Sequence, residues 1–189
     1  MKLLIASNNQ HKIEEIVAVL QGKFDEIVTL GEAGIQCDPD ENGQTFLDNA
    51  LIKAKEVAKL TDMAVLADDT GLCVDALNGR PGVRSARYAS AHDSSANRRK
   101  LLAELQGVAD RAAHFETVVV LLYPDGKIVT GEGKVYGHIL KKEQGANGFG
   151  YDSIFYCDEL RKTFAEATTA EKLTVSHRSR ALRDLLNKL

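Results

Sequence analysis

The chain has 189 residues, of which 44% are apolar and 27% charged; this suits one compact domain or two small lobes on a shared core, and excludes a disordered segment. Formal charge is −3, from 24 basic and 27 acidic side chains, so nothing predicts long-range attraction to a nucleic acid polymer, and a small anion must be held by a local group of cations. Three cysteines, Cys37, Cys73 and Cys157, without a C-x-x-C pair, read as buried small hydrophobes in a reducing cytoplasm rather than as a disulfide framework or a zinc site.

In chain order, residues 2–6 read as a buried strand. Ser7-Asn8-Asn9 supplies helix-capping side chains, and Ile13, Ile16, Val17 and Leu20 follow with helical spacing up to Gly22. A short strand is expected over 26–30, then a polar loop over 31–44. The next helix spans 45–60, with Thr45 and Asp48 in a capping-box arrangement. Residues 64–67 form an apolar strand ending in Asp68-Asp69-Thr70-Gly71, and 72–77 a further strand. A Gly-, Pro- and Arg-rich loop covers 78–88. Ser94 or Ser95 caps a helix running to Leu105. Strands over 115–123 and 127–132 flank the turn Pro124-Asp125-Gly126, and 134–140 adds another strand. A glycine-rich loop over 145–152 precedes a short strand at 154–156, and the last helix spans about 175–187. Early alternation of strands and helices with a later hairpin predicts an α/β fold with a mixed sheet. The N-terminal apolar run is too short for a signal peptide, and no apolar stretch reaches the roughly 18 residues of a membrane span.

Five segments carry chemistry. Ser7-Asn8-Asn9-Gln10-His11-Lys12 lies between a strand and a helix, where free N–H groups and the Lys12 ammonium attract phosphate; it lacks the glycines of a Walker loop. Glu41 precedes Thr45, Asn49 and Lys53, and the last two share one polar helix face. Asp68-Asp69-Thr70-Gly71 offers hard carboxylate oxygens of the kind Mg²⁺ takes along with phosphates. Neighbouring strand residues point to opposite faces, so one aspartate is expected at the metal and the other braced by hydrogen bonds. Gly148-Phe149-Gly150-Tyr151-Asp152 combines permissive backbone with Phe149 and Tyr151, two rings able to stack on a base. Glu171-Lys172 and Ser176-His177-Arg178 close the set. Ser176 caps the last helix, and two cations in a first turn call for a ligand group or a carboxylate to answer them.

Together these motifs resemble the inosine triphosphate pyrophosphatase, or Ham1-like, family. The resemblance runs from Ser7-Asn8-Asn9 with Lys12, through Glu41-x-Gly43-x-Thr45-Phe46 with Asn49 and Lys53, Ala67-Asp68-Asp69-Thr70-Gly71-Leu72, and Ser85-Ala86-Arg87-Tyr88, to Asn147-Gly148-Phe149-Gly150-Tyr151-Asp152 and Lys172 with Ser176-His177-Arg178. Ser153, Ser179 and Lys141-Lys142-Glu143-Gln144 depart from the family pattern.

The resemblance implies one domain over 1–189, built as a twisted mixed sheet flanked by helices, with two lobes and a cleft between them. It implies cleavage of ITP, dITP and XTP to the nucleoside monophosphate and pyrophosphate. Mg²⁺ would be held by Glu41 and Asp69 with Asp68 assisting, and Asp69 would also deprotonate the attacking water. Ser7, Asn8, Asn9, Lys12, Lys53 and Thr70 would grip the triphosphate. Phe149, with Gly150 and Tyr151, would receive the base; Asp152, His177 and Arg178 would read its edge, with Lys172 assisting. A cytoplasmic homodimer with no membrane or nucleic acid polymer partner is expected. A nucleotide sensor without catalysis and a pyrophosphatase for modified pyrimidine triphosphates are the alternatives.

Overall fold

A computed structural model describes residues 1–91 and 93–189. Seven strands, β1 (Lys2–Ile5), β2 (Glu26–Thr29), β3 (Ala64–Val74), β4 (Ala112–Leu122), β5 (Ile128–Ile139), β6 (Phe155–Cys157) and β7 (Lys162–Thr163), lie in the order β2-β1-β3-β4-β5-β6-β7. β1 is parallel to β2 and β3, whereas β6 is antiparallel to β5 and β7. The sheet is therefore mixed, as the sequence pattern predicts. The helices are α1 (Gln10–Leu20), α2 (Phe46–Ala58), α3 (Ser94–Glu104), α4 (Thr169–Val175) and α5 (His177–Leu186). Among the described residues, no helix is long and apolar enough to cross a membrane.

The chain divides into two compact units. The first comprises Met1–Asp69, Thr117–Gly133 and Arg178–Leu189, and the second Thr70–Glu116 and Lys134–His177.

In the first unit the strands are apolar on both faces. Leu3, Ile5, Leu66, Val119 and Leu121 pack with Ile13, Ile16 and Leu20 of α1 and with Ala181, Leu182 and Leu185 of α5. Leu4, Val65, Ala67 and Val120 pack with Ala50, Ala54 and Val57 of α2. Parallel strands covered on both sides read as continuous apolar runs. Because side chains alternate along β3, Asp68 continues the row of Leu66 toward α1 and α5, and Asp69 continues the row of Val65 and Ala67 toward α2.

In the second unit only one face of the strands is packed. Leu72, Val74, Ala113, Phe115, Val135, Ile139, Phe155 and Cys157 form a core with Leu101, Leu105 and Phe164. The alternate positions Cys73, His114, Glu116, Lys134 and Tyr136 fall on the other face, where Tyr136 is 59% exposed.

Several expectations need correction. The acidic segment does not end a strand: residues 64–67 and the separate strand expected from 72 join into β3 over 64–74, with Asp68-Asp69-Thr70-Gly71 inside it. Two adjacent carboxylates interrupt the apolar run locally, but distant cations neutralise them in place. Residues 127–132 and 134–140 likewise join into the single strand β5. The loop over 78–88 contains a 3-10 turn at Gly82–Arg87, preceded by another at Asp75–Leu77. Asp93, not Ser94 or Ser95, caps α3, its carboxylate accepting from Ala96 N at 2.8 Å. The last helix, α5, starts at His177 directly after the extended Ser176 (φ −63°, ψ 150°), where a cap was expected; the short helix α4 before it was not anticipated. The Thr45 capping box forms as expected, with Asp48 N to Thr45 Oγ1 at 3.1 Å and Thr45 N to Asp48 Oδ2 at 3.0 Å.

Candidate active-site residues

The first unit gathers the acidic and phosphate-type residues. Asp69, 5% exposed, accepts from Asn49 Nδ2 at 3.0 Å. Lys53 Nζ lies 3.8 Å from Asp69 Oδ1 and 3.1 Å from Glu41 Oε1. Asn49 and Lys53 reach this point together because i, i+4 residues share a helix face. Burial raises the Asp69 pKa above the usual carboxylate value, and Lys53, Lys12 and the Asn49 hydrogen bond only partly offset it. The result is a buried carboxylate of increased basicity beside a second carboxylate, Glu41, and a shared ammonium.

Asp68 has different partners. Lys12 Nζ is 3.1 Å from its Oδ2, and Arg178 Nε and Nη2 each donate to the same oxygen at 3.3 Å. Arg178 Nη1 also donates to Glu15. Burial works to raise the Asp68 pKa, but the Lys12 and Arg178 cations overcome it and hold the carboxyl well below its usual range. Arg178 is 1% exposed; burial opposes its charge, and Asp68 and Glu15 more than compensate. The Lys12 ammonium is pushed down by burial against the pull of Asp68. Asp68 is thus answered by protein cations, and two carboxylates answer Arg178.

At the strand-to-helix junction, the Asn9 side chain caps α1 by accepting from His11 N at 3.1 Å and Lys12 N at 3.3 Å. Those two N–H groups are therefore engaged within the chain. Asn8 Nδ2 donates to Cys37 O at 3.3 Å, and Ser7 Oγ accepts from Asn9 N at 3.2 Å.

The second unit gathers the base-type residues. Asp152, 4% exposed, accepts at Oδ2 from Lys172 Nζ at 2.7 Å and from Phe149 N at 3.0 Å. Lys172 Nζ also sits 4.7 Å above the half-buried Phe149 ring. Gly148 adopts φ +76°, and a side chain there would strike the Asp152 carboxylate. His177, 3% exposed, stacks on Phe115 with ring centroids 4.7 Å apart. Tyr151 is a core residue rather than a presented ring: it is 5% exposed and its hydroxyl donates to Ser85 O at 2.8 Å. Thr70 opens this unit, within β3.

Sequence reasoning did not single out the residues that hold the loop over 145–152. Arg98 Nη1 donates to Gly150 O at 2.7 Å, and Arg98 Nε lies 3.0 Å from Glu143 Oε1. Glu143 Oε2 accepts from Ser153 Oγ at 2.9 Å. Glu143 and Ser153 are two of the departures noted in the sequence, but nothing in the sequence paired them across ten positions. Glu15, the second carboxylate on Arg178, carried no sequence signal, because a lone acidic residue on an amphipathic helix reads as solvated.

The Ham1 family profile matches residues 3–188. The chain is 47% identical over 197 aligned positions to the dITP/XTP pyrophosphatase of Clostridium perfringens, covering 100% of this chain and 97% of that protein. A HAM1 protein from Coxiella burnetii superposes with a TM-score of 0.89 at 35% identity, covering 100% of both chains. The nucleoside-triphosphatase, or dITP/XTP pyrophosphatase, of Mycobacterium abscessus superposes with a TM-score of 0.79 at 44% identity, covering 98% of this chain and 99% of that one. On family profile, sequence identity and fold together, the chain belongs to the Ham1 family.

Proposed function

We propose that the chain hydrolyses the non-standard purine nucleoside triphosphates ITP, dITP and XTP to the nucleoside monophosphate and pyrophosphate. The observation that carries this reading is the buried Asp69 carboxylate, aligned by Asn49 and sharing Lys53 with Glu41.

Asp69 acts as the base. Its raised proton affinity brings it nearer to the working pH, which improves proton abstraction from water. Lys12 and Lys53 neutralise phosphate oxygens, with Ser7, Asn8 and Thr70 as neutral partners. Asp68 holds Lys12 in position rather than acting on substrate. The paired hard oxygens of Glu41 and Asp69 fit Mg²⁺, which takes one or two carboxylates together with substrate phosphates. When bound, the ion supplies Lewis-acid neutralisation of charge on the phosphates.

In the second unit Phe149 receives the base, while Lys172, His177 and Asp152 meet its polar edge. Hypoxanthine and xanthine present an acceptor at O6, whereas adenine presents an amino group there and leaves buried donors unpaired. A site built around such a bond rejects the analogue that lacks it by about 10⁴–10⁵. Arg178 contributes through Asp68 and Glu15. The accompanying biology is a cytoplasmic homodimer that removes deaminated purines from the nucleotide pool.

Hydrolysis of ITP in isotopically labelled water tests the bond cleaved. Label in IMP places attack at the α-phosphorus and supports the reading. Label in pyrophosphate or orthophosphate contradicts it.

A further inference from the structure

We infer that Cys73, His114 and Glu116 form a second metal site, for a borderline transition-metal cation of the Zn²⁺ class. Its three side chains share no residue with the nucleotide clusters. One donor atom from each lies within 4.8 Å of the other two.

Strand geometry brings them together. His114 and Glu116 are i, i+2 on β4 and so share a face. Their nearest atoms, Nε2 and Oε2, are 3.6 Å apart. Cys73 projects from β3, the neighbour of β4 in the sheet, on the face opposite the packed core of Leu72, Val74 and Phe115. Donors on two adjacent strands are held more precisely than donors on loops.

The donor set selects the cation. One sulfur, one imidazole nitrogen and one carboxylate oxygen suit Zn²⁺ in a tetrahedron whose fourth place is left to water; Mg²⁺ prefers oxygen alone. Zinc bonds of about 2.0–2.3 Å put donor atoms roughly 3–4 Å apart, so the cluster closes by small side-chain rotations. His114 and Glu116 side chains are 20% and 19% exposed, half-buried yet open to entry.

Lys134 Nζ, 3.0 Å from Glu116 Oε2, is the cation the metal must displace. Its side chain is 41% exposed, so it can swing into water. Binding then exchanges an ammonium contact for a dication, and the Cys73 thiol releases one proton to solvent as the Zn–S bond forms. The cation links β3 to β4. No spacing rule points to the site, because Cys73 lies 41 positions before His114 and matches no zinc-ligand spacing.

The test uses the full chain with Mg²⁺ in excess, so that the oxygen-only carboxylates are occupied. It is titrated with Zn²⁺, and with Co²⁺ as a spectroscopic reporter. One equivalent should bind, and Co²⁺ should give a thiolate charge-transfer band. Cys73→Ser should abolish the band and weaken Zn²⁺ binding by more than about 100-fold, beyond what outer partners alone carry. Lys134→Gln should tighten binding by about 2–5-fold, the effect of removing a part-exposed competitor. Asp69→Asn should leave both signals intact. No Zn²⁺ equivalent and no band in the parent chain would overturn the inference, as would a band that survives in Cys73→Ser.

Discussion

Asn49 Nδ2 donates to Asp69 Oδ2 at 3.0 Å, and Oδ1 of the same side chain accepts from Gly43 N at 2.8 Å. One buried amide thereby ties the segment that carries Glu41 to the strand that carries Asp69. Position 43 must lack a side chain for this to happen, since a Cβ there would lie 2.5 Å from Asp48 Cβ and 2.7 Å from Asn49 Oδ1.

Asn49→Ala should therefore act on the base rather than on binding. Its hydrogen bond favours the charged form of Asp69, so removal raises the Asp69 pKa further. The base must be ionised to work, and the acid limb of the kcat profile should move to higher pH. The expected loss at neutral pH is about tenfold, equivalent to one buried hydrogen bond to a charged group. A pH–rate profile checks it; an unmoved acid limb would separate Asn49 from the base.

Asp69→Asn should lower kcat by about 10²–10⁴, the usual share of general-base catalysis, while ITP still binds. Calorimetric titration of ITP together with steady-state rates measures both quantities. Substantial residual turnover would remove Asp69 from the base role.

The Asp68–Arg178 pair makes a stability prediction with a defined sign. The folded Asp68 pKa is depressed, against about 3.9 in an unfolded chain. The pair's stabilisation is therefore fully present above pH about 4 and is lost as pH falls below it. Arg178→Ala should cost about 3–5 kcal/mol at neutral pH, because it takes the buried arginine from Glu15 and leaves Asp68 with Lys12. Urea unfolding from pH 7 to pH 3 should show a steep acid loss in the parent chain and a shallower one in Asp68→Asn. Parallel curves would contradict the assignment.

Arg98→Ala should loosen the base loop without touching the chemistry. Losing its bond to Gly150 O and its contact with Glu143 should raise KM for ITP about tenfold, the effect of one charge-assisted hydrogen bond, with kcat nearly unchanged. Glu143→Ala should add little on top of it. A fall in kcat at constant KM would argue against this loop-positioning role.

Phe149→Ala should weaken ITP binding by the stacking energy of one base, about 1–3 kcal/mol, with Asp69-dependent turnover retained at saturation. Equal affinity in the variant and the parent chain would take the ring out of the base site.

Much of the fold is local and was legible. The apolar spacing of α1 and the Thr45–Asp48 box of α2 depend only on residues a few positions apart, and both form as expected. The continuity of β3 was hidden, because Asp68 stays in an extended buried run through two cations distant in sequence, Lys12 and Arg178, the latter 110 positions away. Arg178 itself showed that a carboxylate or a ligand must answer a cation in a first turn, but not which of the two. Tyr151 resembled a stacking ring because an aromatic between glycines gives no sign of its burial; Ser85, 66 positions away, holds its hydroxyl. The helix α4 was missed because it is only Thr169–Val175, too short for an apolar period to show, although Thr168 and Glu171 form a capping box at its start.

The proposed reaction is metal-dependent cleavage of non-standard purine triphosphates at the inner phosphoanhydride bond. The most direct test incubates the purified chain with ITP, XTP, ATP, GTP and dUTP, with and without Mg²⁺, and assays pyrophosphate and orthophosphate separately. Pyrophosphate from ITP and XTP alone, and only with Mg²⁺, is the predicted result. Orthophosphate as the sole product, or no product from any nucleotide, would contradict it.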